Sequence, residues 1–202
     1  MDWIYGVSEC YGLSRSCVID WDAWASIGTM AGVLTALFGP AIRRRFVRRR
    51  VTAIFAAGYY QQVRIAKNAV ADFVAEFPVG DQSEGIFKAR MLLENSPAMR
   101  TAAQKYLERL NVLAAESVDL SKFPEVDTVL AADVSRSIFF VQDLARLIQA
   151  LGGPHQQAET PDWKKYFDNL QTALTRTAET LGHAANGCQA ALNRMSIKKA
   201  LR

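Results

Sequence analysis

Residues 23–42 run for twenty positions without a charge and end against Arg43-Arg44-Arg45-Phe46-Val47-Arg48-Arg49-Arg50, six arginines in eight positions. Few chains can place such a junction anywhere but at a membrane. About 20 mainly apolar residues cover the hydrocarbon core of a bilayer as a helix, and arginine concentrates at the cytoplasmic end of such helices. The junction therefore predicts a transmembrane helix over residues 21–42 and a juxtamembrane collar of Arg43, Arg44, Arg45, Arg48, Arg49 and Arg50.

A cleavable signal peptide has the opposite polarity, with its positive charge before the apolar region and a small-residue cleavage site after it. Here an acidic end comes first: residues 1–22 sum to −3, residues 43–50 to +6, and residues 51–202 to +1. The +4 of the whole chain is thus a property of the collar. This order predicts a single-pass protein of the bacterial inner membrane, with a short external segment at residues 1–20 and the remainder in the cytoplasm. Trp21 and Trp24 fall where amphipathic rings mark the outer interface. Cys10 and Cys17 lie in the external segment, where an oxidising compartment would allow a small disulfide loop worth roughly 2 to 3 kcal/mol. Cys188 reads as a small apolar core residue.

Half of the residues are hydrophobic, so a sizeable core remains after the membrane segment has taken its share. Beyond the collar one period dominates. Phe55, Tyr59, Val63, Ala66, Val70, Phe73 and Phe77 are spaced 4, 4, 3, 4, 3, 4, which sets them on one stripe of a helix. Residues 86–93 read as a shorter helix, and Ser96-Pro97 opens another, with serine at the N-cap and proline in the first turn. Its stripe is Met99, Ala103, Tyr106, Leu110 and Leu113. A third stripe holds Val126, Leu130, Val134, Ile138, Val141, Ala145, Ile148 and Leu151, before Gly152-Gly153-Pro154. Thr160-Pro161 opens the last, with Trp163, Phe167, Leu170, Leu174, Thr177, Leu181, Ala184, Cys188, Leu192 and Met195.

No stretch alternates with period 2 between hairpin turns. The expected fold is all-α: the N-terminal transmembrane helix, then a cytoplasmic antiparallel bundle of about four helices over residues 51–202, with the 4, 3 spacing of coiled-coil packing. The first and last bundle helices, about residues 43–77 and 161–195, would each span roughly 52 Å. Up-down-up-down order returns the last helix to the membrane, where Lys198, Lys199 and Arg202 would meet anionic headgroups.

At 100° per residue the six arginines surround their helix and leave no face for a dry core, which suits passage through headgroups better than nucleic-acid binding. Gly28, Gly32 and Ala36 form a small-residue stripe at the spacing that lets two membrane helices approach, so self-association through it is expected. Gly39-Pro40 is expected to kink or end the membrane helix. His155 and His183 have no second ligand at metal spacing, and no P-loop, GxSxG or HExxH occurs. Asp133 and Asp143 read as helix-surface or interhelix carboxylates.

No known family can be matched residue by residue. The leading expectation is a membrane-tethered helical interaction module of adaptor or scaffold type, without catalysis, cofactor or metal. Its partners would be anionic lipid at the collar, a second copy of itself and a cytoplasmic protein. A membrane-perturbing effector acting through clustered anchors is the alternative, and a small-ligand sensor bundle the third.

Overall fold

Residues 21–78, 84–151 and 163–200 are described by this computed structural model of the chain. Among them all regular structure is helical: α1 (Trp21–Glu76), α2 (Glu84–Asn95), α3 (Pro97–Ala114), α4 (Thr128–Ala150) and α5 (Trp163–Ala200), with one 3-10 turn at Leu120–Lys122. Two compact units divide the chain, Met1–Val47 and Arg48–Arg202.

The first unit holds the apolar part of α1. Of the two outcomes expected at Gly39-Pro40, a kink or an end, the end does not occur: Pro40 lies inside this helix. Proline removes one backbone N–H and crowds the carbonyl one turn earlier. A full break would leave up to four carbonyls on one side and four N–H groups on the other without helical partners. Continuing the helix sacrifices less.

The second unit is built on the stripes that periodicity marks. Every residue of the stripe from Phe55 to Phe77 is buried, as is every residue from Val126 to Leu151 in the set named above. In α3, Ala103, Tyr106, Leu110 and Leu113 are buried and Met99 packs against the same core. Ser96 caps α3 as expected: its Oγ accepts from the Met99 N–H at 3.4 Å. Asp127 does the same for α4, accepting from the Val129 N–H at 3.0 Å. Polar side chains inside the core turn back on their own helices, Ser137 donating to the Asp133 carbonyl and Thr177 to that of Ala173.

Met195 departs from expectation. It stands on the α5 stripe yet is 48 % exposed, because the core ends near Cys188, with Ala191 and Leu192 half-buried at its edge. The helix itself continues to Ala200, so a periodic face outlasts the partners that could cover it.

Contacts between helices run in opposite chain directions. Asp72 and Glu76 of α1 meet Arg109 and Lys105 of α3. Gln142 of α4 donates to the Ala114 carbonyl at 2.8 Å, and Gln104 of α3 to that of Gln149 at 3.4 Å. Tyr166 of α5 donates to the Leu147 carbonyl at 2.5 Å, and Thr177 to that of Phe140 at 3.3 Å. Tyr60 of α1 donates to Gln189 Oε1 of α5. The α3–α4 connection lies along the start of the domain: Tyr59 donates to the Ser117 carbonyl at 2.9 Å, Phe123 meets Phe55 edge-on at 5.2 Å, and the Asp127 N–H donates to Thr52 Oγ1 at 3.0 Å.

Candidate membrane anchor and basic collar

The apolar half of α1 contains an 18-residue stretch of mean hydropathy 1.5, none of it buried, long and apolar enough to cross a membrane by length and composition. Trp24, Ile27, Met30, Val33, Leu34, Leu37, Phe38 and Ile42 all stand exposed. Ordinary core helices hide one stripe and wet the other. This one is apolar all round and covered nowhere, which is what a lipid-facing helix requires.

Its few polar atoms are satisfied within the helix. Thr29 donates to the Ala25 carbonyl and Thr35 to that of Ala31, each at 2.8 Å, and Ser26 is partnered as well. In a medium without water an unpaired hydroxyl would cost roughly 2 kcal/mol or more, so this back-bonding removes an obstacle to insertion. A methyl group added at Gly28 or Gly32 would meet nothing within 4 Å, so the stripe with Ala36 is open in this chain. Trp24 is exposed. The side chain of Trp21, and Cys10 and Cys17, lie outside the described residues.

All six collar arginines are exposed, and none pairs with a carboxylate among the described residues. Like charges three and four apart on a helix repel by a few tenths of a kcal/mol per pair. No carboxylate among the described residues pairs with them to relieve that repulsion.

The domain offers no such concentration of chemistry. No group of three or more His, Cys, Asp or Glu side chains is placed to hold a metal among the described residues. His183 is exposed on α5, and His155 lies outside the described residues. Asp133 is half-buried and Asp143 exposed. Cys188 is fully buried, and burial pushes its thiol pKa up to about 11, which leaves it un-ionised and inert.

The polar arrangement that sequence reasoning missed is a ladder between α1 and α3. Lys105 Nζ reaches Glu76 Oε2 at 2.6 Å, Tyr106 donates to the same oxygen, and Arg109 reaches Asp72 Oδ2 at 2.6 Å. The Lys105 and Tyr106 donors hold the Glu76 carboxyl below its usual range. An acidic pair four apart on α1 and a basic pair four apart on α3 was the available signal. Arg100, also missed, closes α2: its guanidinium donates to the Leu93 and Glu94 carbonyls at 3.0 and 2.8 Å and lies over Trp163 at 5.8 Å. These contacts join helices.

Compared with known protein families, curated proteins and solved structures, the chain finds no match.

Proposed function

We propose that this chain is a single-pass inner-membrane protein, N-terminus outside, whose cytoplasmic domain is an up-down-up-down bundle of the second half of α1 with α3, α4 and α5, and that it works as a tethered interaction module. One observation carries the reading: a helix segment exposed and apolar on every side gives way within one residue to six exposed arginines that have no carboxylate partner among the described residues. The opposite chain directions of the α1–α3, α3–α4 and α4–α5 contacts support the bundle order. Several of the domain's polar side chains, Asp72, Glu76, Arg100, Lys105 and Arg109, are engaged in joining helices, which suits a rigid recognition surface. Tethering confines the encounter with a cytoplasmic partner to the membrane plane, and pairing through Gly28, Gly32 and Ala36 would present two copies of the domain together.

Fusing a reporter active only in the cytoplasm to the C-terminus, with alkaline carbonate extraction in parallel, tests this. The reading expects a chain retained in the membrane pellet with an active reporter. Release by carbonate, or a C-terminus outside, would refute it. Rapid depolarisation on expression of the wild-type chain, lost when Gly28 and Gly32 are both changed to Ile, would replace the module with the membrane-perturbing effector.

A further inference from the structure

The proximal end of the domain, the end continuous in sequence with the apolar segment, carries more positive charge than the collar alone. Arg48, Arg49 and Arg50 belong to the packed unit and are exposed without a carboxylate partner among the described residues. The α5 helix comes back to this end. Tyr60 of α1 bonds to Gln189 of α5, and Val51 of α1 and Leu192 of α5 both border the same core. At 1.5 Å per residue, ten residues beyond Gln189 advance about 15 Å, the distance from Tyr60 back to Arg50. Positions 198 and 199, both lysine and both within α5, therefore fall level with the last collar arginines, and exposed Arg194 precedes them by about one turn.

Four carboxylates near this end offset part of the charge. They are Glu116, Asp119, Glu125 and Asp127 of the α3–α4 connection. Asp119 is held by Ser121 and Lys122, and Asp127 caps α4. All four lie in the segment that runs beside residues 52–59 of α1, above the arginines.

We infer that α5 supplies a second basic arm, so that an anionic lipid surface is gripped by Arg48, Arg49 and Arg50 from one helix and by Arg194, Lys198 and Lys199 from the other. This rests on the tethered reading above and names its lipid partner. Lipid is favoured over nucleic acid because the arginines follow directly on an apolar segment, while the rest of the domain is close to neutral. Gripping both helices at once couples lipid charge to the order of the α5 end, which extends past the core.

The test is hydrogen–deuterium exchange of the full chain in nanodiscs of phosphatidylcholine alone or enriched in phosphatidylglycerol, read on peptides covering residues 189–200. Exchange should slow about tenfold or more in the anionic discs, since each basic residue at such a surface contributes about fivefold. The combined variant R194Q, K198Q, K199Q should exchange alike in both discs, with helix content unchanged by circular dichroism. Equal exchange of the wild type in both compositions would overturn the inference, as would undiminished slowing in the variant. Equal protection by a single-stranded oligonucleotide added to neutral discs would overturn the lipid assignment. Failure of the chain to enter discs at all would instead sink the tethered reading on which the inference stands.

Discussion

Changing Phe73 to Ala and, separately, Phe139 to Ala sets two chemically identical deletions against each other at sites that differ only in tertiary surroundings. Phe73 is 1 % exposed, with its ring centroid 5.3 Å from that of Phe77 and 5.5 Å edge-on from that of Tyr106. Truncation there removes buried area and leaves a cavity that the surrounding α1 and α3 side chains cannot fill, a loss of about 3 to 5 kcal/mol. That is a large part of the roughly 5 to 15 kcal/mol holding a domain together. For a unit of this size each kcal/mol moves the melting temperature by about 2 to 4 °C, so a fall of roughly 6 to 20 °C is expected. Phe139 is 62 % exposed on α4, and Phe140 supplies its one ring contact among the described residues, at 5.4 Å. Its truncation should change stability by less than about 0.5 kcal/mol, or under about 2 °C. Thermal unfolding of the full chain in detergent micelles, followed by far-UV circular dichroism, measures both. Should F73A fail to fold, Phe73→Leu gives the same ordering at smaller amplitude. Equal shifts for the two sites would refute the assignment of the α1 stripe to the core.

Further outcomes follow from the same structure. Gly58 is exposed and a methyl there meets nothing within 4 Å, so G58A should raise stability by about 0.5 to 1 kcal/mol; at Gly187 the methyl would lie 2.9 Å from Leu130 Cδ1, and G187A should forfeit that gain in the same melts. Because the folded-state pKa of Glu76 is depressed, its contribution is present above the unfolded value of 4.5 and is lost as pH falls through the folded one. Acid titration of stability should therefore show a small component, under about 1 kcal/mol for so exposed a pair, that disappears in E76Q; an unchanged acid limb in that variant would contradict the ladder. Cys188, un-ionised in its buried site, should resist a thiol reagent at neutral pH until the domain is unfolded, and prompt labelling of the native protein would show that the α5 face is not packed as described.

Much of this molecule is readable in one dimension. The candidate membrane segment and the basic collar depend on runs of residue type, which are read without needing a fold. The core stripes of α1, α3, α4 and α5 follow from the 3.6-residue repeat, which joins residues three and four apart whatever lies across from them. The caps at Ser96 and Asp127 are equally local.

Tertiary structure alone decided the rest. Met195 obeys the α5 period and is still exposed, because burial depends on how far neighbouring helices extend and not on the periodicity of its own. The pairing of Glu76 with Lys105, of Asp72 with Arg109 and of Tyr60 with Gln189 joins residues 29 to 129 positions apart. Sequence places these residues on their helices; only packing decides which helix each side chain meets, because side-chain interactions act over a few ångströms of space and are indifferent to separation along the chain.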